Sequence, residues 1–182
     1  MKLIVGLGNP GKDYENTRHN VGFLFIDNFL KKKALKTKKK FNSLYAEYNI
    51  DNEKIILLKP QTYMNLSGIA VKKYVDYFNI KIEDILIIYD DMDFETGTFK
   101  IKPTGSSGGH NGIKNILDNL GTQNIKRIRI GISKTKNDKI DYVIGKFRKE
   151  EKEKITNIIE ISDKIIEDFI KLSFSDFMNK YN

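Results

Sequence analysis

A chain of 182 residues is the size of one domain and can bury about 70 % of its unfolded surface without covalent staples. With 40 % hydrophobic and 31 % charged residues and no cysteine, it reads as globular, and disulfides, thiolate catalysis and Cys-ligated zinc are excluded together. The formal charge of +8 suits a polyanionic partner, although nearly all of it is lysine, since Arg18, Arg127, Arg129 and Arg148 are the only arginines.

In chain order, Lys2–Leu7 is an apolar strand running into the turn Gly8-Asn9-Pro10-Gly11. A helix with Asn16 or Thr17 as N-cap follows, carrying Val21, Leu24, Phe25 and Phe29 on one face. The lysines from Lys31 to Lys40 read as a helix end and the loop after it, either a solvated connection or a phosphate-contacting surface. Leu44–Ile50 and Glu53–Lys59 flank Asp51-Asn52 as a hairpin, residues 60–65 are loop, and Ser67–Phe78 is helical. Asp84–Tyr89 is an almost unbroken apolar run, as expected of a strand covered on both faces, and Thr98–Lys102 is a weaker strand. Ser106–Asn111 opens a short helix with Ile113, Ile116, Leu117 and Leu120 on one stripe, stopped by Gly121. Ile125–Ile132 alternates apolar with basic residues, a strand whose wet face would carry the basic side chains, and from Lys149 a long amphipathic helix and a short one close the chain. No apolar run approaches the ~20 residues of a spanning helix, and Gly6, Gly8 and Pro10 interrupt Leu3–Val5 too early for a signal-peptide core, so the reducing cytosol is the expected location. Strands interleaved with helices predict a single α/β domain over residues 1–182: a three-layer sandwich with a twisted, mixed, mostly parallel sheet and helices on both faces.

Two motifs match by letter and fail by context. Gly6-Leu7-Gly8-Asn9-Pro10-Gly11 has the dinucleotide spacing, but Lys12–Asn20 offers only Tyr14 as an apolar residue where a sheet-packing helix is required. Gly105-Ser106-Ser107-Gly108-Gly109 has the nucleophile-elbow spacing, but the last histidine, His110, arrives before any acid–histidine pair could follow in the required order. What remains is a convergence at strand ends. Asn9, Asn65, Asp90 and His110-Asn111 each follow a strand or sheet-edge loop, where α/β sheets bind ligands. Three amides, a carboxylate and a histidine, either His19 or His110, with no credible serine or cysteine nucleophile, point to water as the attacker. General-base help gives about 10²–10⁴-fold, which suits an ester better than an amide. Two other readings stay open: a Mg²⁺-dependent nuclease or phosphatase built on Asp90 and Asp93, and a non-catalytic RNA-binding module.

Five blocks, Val5–Gly11, Thr17-Arg18-His19-Asn20-Val21-Gly22, Lys59-Pro60-Gln61-Thr62-Tyr63-Met64-Asn65-Leu66-Ser67-Gly68, Asp90-Asp91-Met92-Asp93 and Gly108-Gly109-His110-Asn111-Gly112, together resemble bacterial peptidyl-tRNA hydrolases, in order along essentially the whole chain. The resemblance implies a cytosolic, monomeric esterase without cofactor or metal, which cleaves the bond between a peptide's C-terminus and the 3′ ribose of tRNA. It implies His19 as the general base, Asp90 as the carboxylate that holds its ring, and Asn9 as the amide that reads the acylated α-nitrogen. It further implies Tyr14, Tyr63, Met64, Asn65 and Asn111 along the cleft, and Lys102 and Arg129 as a clamp on tRNA phosphate. Phe94-Glu95 stands where the family often has Leu-Pro, and Ser106-Ser107 where a glycine or histidine is common.

Overall fold

The computed structural model describes Met1–Asn182. Its strands are β1 Lys2–Gly6, β2 Lys38–Lys40, β3 Ser43–Ile50, β4 Glu53–Pro60, β5 Ile85–Asp91, β6 Phe99–Lys102 and β7 Lys126–Gly131. Its helices are α1 Val21–Lys32, α2 Ser67–Phe78, α3 Asn111–Leu120, α4 Lys139–Val143, α5 Lys149–Ile159, α6 Ser162–Lys171 and α7 Phe174–Tyr181. The strands make one sheet in the order β2-β3-β4-β1-β5-β7-β6. Strands β2, β4, β1, β5 and β7 run one way and β3 and β6 the other, so the sheet is mixed and mostly parallel. Two antiparallel pairings lie beyond the expected hairpin: β2 on one edge and β6 on the other.

The alternation of side chains along each strand divides the apolar residues between two layers. Ile4, Ile55, Leu57, Leu86, Ile88, Ile128 and Ile130 meet α1 and α5–α7 on one face. Leu3, Val5, Ile56, Leu58, Ile85, Ile87 and Tyr89 meet α2 and α3 on the other. All seven residues of β5 are buried, as its unbroken apolar run requires.

Two glycines set the depth at which α1 lies. A Cβ on Gly6 would fall 2.3 Å from the Gly22 carbonyl oxygen, and one on Gly22 would fall 2.3 Å from that of Ile88. The helix therefore rests almost backbone-to-backbone on β1 and β5, with its N-terminus at their C-terminal ends. In place of a helix beginning at Asn16 or Thr17, a single 3₁₀ turn, Arg18–Asn20, precedes α1. Thr17 makes no side-chain cap, and Asn16 sits at φ 61°.

The basic strand departs from its expected form. Arg127 is only 2 % exposed and does not lie on a wet face. Its guanidinium donates to the carbonyls of Gly105, Ser106 and Gln123, which satisfies the charge with backbone dipoles and ties down the start of the loop before α3. Arg129 and Lys126 remain half-exposed. The lysines Lys38–Lys40 form β2, an edge strand whose charges discourage pairing with a further strand. The C-terminal region is three helices, broken near Glu160 and at Leu172.

Candidate active site

The C-terminal ends of β1, β5 and β7 stand side by side, with Gly6 opposite Ile88 and Asp90 opposite Ile130. At this edge a cleft of about 330 Å³ is lined by His19, Tyr89, Asp90–Asp93, Ser107–Asn111, Lys134, Thr135 and the Lys139, Ile140 and Val143 side of α4.

Asp90, 3 % exposed, faces two imidazoles. His19 Nδ1 lies 3.0 and 2.9 Å from its two oxygens, and His110 Nε2 lies 3.0 Å from Oδ1. The two rings are 4.8 Å apart at their centroids. Their roles separate on a hydrogen-bond argument. His110 is the N-cap of α3, and its Nδ1 lies 3.2 Å from the Ile113 N–H, which can only donate. That nitrogen therefore carries no proton, Nε2 donates to Asp90, and neither nitrogen of His110 is left over. His19 donates from Nδ1 to Asp90, which fixes the tautomer with a lone pair on Nε2, and Nε2 has no protein partner. Of the two histidines, only His19 is arranged to accept a proton from a third body.

The electrostatics agree. Burial opposes a charged His19, but the Asp90 carboxylate and its hydrogen bond outweigh burial and hold the pKa above the ordinary 6.5. Burial would raise Asp90, yet the two imidazoles hold it well below the usual carboxylate range.

Asn9, 7 % exposed, lies just beyond β1. Its backbone exchanges two hydrogen bonds with the Asn20 side chain, at 2.8 and 2.9 Å. Its Oδ1 accepts from the Met64 N–H at 2.7 Å, which settles the orientation of the amide and leaves Nδ2 without a protein acceptor. Met64 is buried, and its sulfur lies beside Gly112, where a Cβ would meet both Met64 Sδ and the His110 ring. His19, Asp90 and His110 line the cleft, whereas Asn9 and Met64 are not among its lining residues; Asn9 is linked to the turn bearing His19 through Asn20, and Met64 lies across Gly112 from His110. Asn111 opens on the same cleft and Asn65 is exposed beside Met64. Tyr14 and Tyr63 meet edge-to-face at 6.3 Å, with Tyr63 exposed. Asn9 itself borders a second cavity of about 320 Å³, together with Asn20, Asp27, Lys59 and Gln61.

Arg129 and Lys102 lie on the sheet beyond Asp90. Register pairs Arg129 with Lys100 and Arg127 with Lys102, so all four project to the same face. Arg129 is held by Asp91 through its Nε and stacks over the Phe94 ring at 5.0 Å. The Phe94-Glu95 turn is firmly seated: the Phe94 carbonyl accepts from Ser133 N at 2.9 Å, and Glu95 O lies where a Cβ on Gly131 would fall. The carboxylates that would build a Mg²⁺ site do not converge, since Asp90 faces the imidazoles while Asp91 and Asp93 face Arg129. The groups close enough to share a metal ion are His19, Asp90 and His110, and their ring N–H donors are already directed at the carboxylate.

The model of the family described as peptidyl-tRNA hydrolase matches residues 3–182. The chain belongs to the peptidyl-tRNA hydrolase family. It is 48 % identical over 184 residues to a peptidyl-tRNA hydrolase of Listeria welshimeri and 46 % identical over 185 residues to one of Halalkalibacterium halodurans, in each case covering 100 % of both chains. The crystal structure of the peptidyl-tRNA hydrolase of Acinetobacter baumannii is similar with a TM-score of 0.94 at 33 % identity, covering 100 % of this chain and 94 % of that one. The family is one of hydrolases, and membership makes this chain an enzyme with the α/β sandwich its sequence implies. No helix is long and apolar enough to cross a membrane.

Sequence reasoning left His110 without a role and did not see Asn20 locking Asn9. Arg18 and Asn20 lie inside the quoted block around His19, so adjacency was the available signal. Glu151, the partner of Arg18, lies 133 positions further on and gives no signal of its own.

Proposed function

We propose that this protein hydrolyses the ester joining a peptide to the 3′ ribose of tRNA, with His19 as general base. The supporting observation is the tautomer lock: His19 Nδ1 is committed to Asp90, and His110, its only rival, has both nitrogens occupied. Nε2 takes a proton from water as the oxygen attacks the ester carbonyl. Asp90 stabilises the imidazolium, which returns the proton to the departing ribose oxygen as the tetrahedral intermediate collapses. The products are a free peptide carboxyl and a free tRNA 3′ end.

Asn9 accounts for the choice of blocked substrates. With its oxygen taken by Met64, the amide presents N–H donors. An acylated α-nitrogen brings a carbonyl oxygen to accept them, whereas a free α-ammonium brings only more donors and a charge. Asn65, Asn111, Tyr14, Tyr63 and Met64 line the approach for the peptide backbone and terminal nucleotide. Arg129, oriented by Asp91, and Lys102 hold tRNA phosphate and set affinity and register without reading sequence. The enzyme works as a monomer in the cytoplasm.

Incubation with N-acetyl-aminoacyl-tRNA is expected to release tRNA without added metal, and His19→Ala to lower kcat by about 10²–10⁴-fold while tRNA binding is retained. An unchanged rate in His19→Ala removes it as the base.

A further inference from the structure

His19 is carried on one 3₁₀ turn of three residues, too short to hold its own orientation. Its neighbours do that work from opposite sides. Asn20 is tied to Asn9 at the end of β1. Arg18 is tied to the C-terminal part of the chain: Nη2 lies 2.7 Å from Glu151 Oε1, Nε lies 3.2 Å from Oε2, and Nη1 donates to the Tyr142 carbonyl at 3.0 Å. The guanidinium also stacks on the Tyr142 ring at 4.1 Å. Both members of the ion pair are buried, with side chains 8 % and 5 % exposed. The backbone follows the same path, since Arg18 N–H donates to the Gly145 carbonyl and Phe147 N–H to that of Asn16. Tyr142 belongs to α4, whose Lys139, Ile140 and Val143 wall the cleft.

A buried ion pair is a poor device for stability, because well-packed apolar residues of similar volume usually do as well or better. It is a good device for direction, because the planar guanidinium meets a carboxylate in one bidentate geometry. We propose that Arg18 is a positioning residue: its pairing with Glu151 and Tyr142 fastens the turn bearing His19 to the α4 wall and so sets the line along which Nε2 meets the attacking water. The inference rests on His19 being the base.

The test compares Glu151→Gln with the paired apolar replacement Arg18→Met/Glu151→Leu, measuring kcat and KM on N-acetyl-aminoacyl-tRNA alongside the melting temperature. The paired variant, which also removes the bond from the Arg148 N–H to Glu151 at the start of α5, is expected to melt somewhat below the wild type while kcat falls about 10–100-fold and KM stays within about threefold, the size of loss that a displacement near 1 Å produces. Glu151→Gln, which keeps the shape and loses one acceptor, is expected to show a smaller fall in kcat alone. In both variants the His19 Cε1–H resonance should move. A kcat within twofold of wild type, or a loss confined to KM, overturns the proposal; if the paired variant does not fold, Glu151→Gln decides on the same terms. His19→Ala run in parallel separates the two failures: wild-type activity there removes the base and the tether with it, whereas a loss there beside an unchanged kcat in the Arg18 and Glu151 variants removes the tether alone.

Discussion

Asp90 offers two oxygens to two imidazoles, and the division of those contacts decides which ring can act. His110 spends its second nitrogen on the start of α3, so the choice between the histidines, open in the sequence, is made by a backbone N–H three residues along. A pH dependence follows. Protonated His19 cannot accept a proton, so kcat/KM should rise with pH through a midpoint above 6.5 and then level off. Initial rates on N-acetyl-aminoacyl-tRNA across buffers check this, and a midpoint below 6.5 contradicts it. Stability runs the other way for this residue. A raised folded pKa contributes stability that is complete below the unfolded value and is lost as pH climbs through the folded one. The lowered Asp90 contributes above its unfolded value near 3.9 and loses that share only in stronger acid, as pH falls through the folded one. The form that catalyses is thus not the form in which the His19–Asp90 pair stabilises the fold most.

Among the elements, β1, β5 and α2 were legible because continuous apolar runs and 3.6-residue stripes depend only on neighbours in sequence; α2 has the bounds its pattern implies. What the pattern could not show was the use of the glycines. Gly6 and Gly22 are the floor and underside of a close helix–sheet contact and Gly8 sits against the Phe23 ring, whereas Gly11 serves a positive-φ turn, so the dinucleotide-like spacing combines two separate backbone needs. Gly22→Ala should drive a methyl into the Ile88 carbonyl and cost about 1–3 kcal/mol or more, read as a lower midpoint in thermal or denaturant unfolding. No loss of midpoint would show that α1 can lift without penalty. The turn before α1 defeated the helical reading because its side chains bond far along the chain, to Asn9 and Glu151, and tertiary partners override local preference there. Arg127 shows the same limit: alternation places a side chain on a face but does not reveal whether a loop will cover it.

Across the whole molecule, the basic residues divide by use. The lysines of β2 guard a sheet edge, Arg127 is consumed internally, and Lys100, Lys102 and Arg129 share one face next to the cleft. If that face holds tRNA phosphate, Lys102→Ala should weaken tRNA binding similarly for different tRNAs and reduce the slope of log affinity against log salt by about one. Titrations at several salt concentrations measure it, and an unaltered slope places the phosphate elsewhere. The residues the structure gathers at the cleft were legible where the motif blocks lay, at His19, Asp90 and Asn111, while Asn9 borders the neighbouring cavity. The site's tethering was not, because Asn9, Asp90 and Glu151 approach one three-residue turn from distant stretches of chain.

That long reach has a consequence for the molecule's own birth. While it is being made, this polypeptide is itself attached to tRNA through the kind of linkage proposed as its target. The parts of the scissors that emerge first include the blade, but the rivet, Glu151, is translated 133 positions after Arg18, behind the α4 wall. If Arg18 aims His19 as proposed, a copy that ends before Glu151 lacks that fastening, and the aim is completed only late in synthesis.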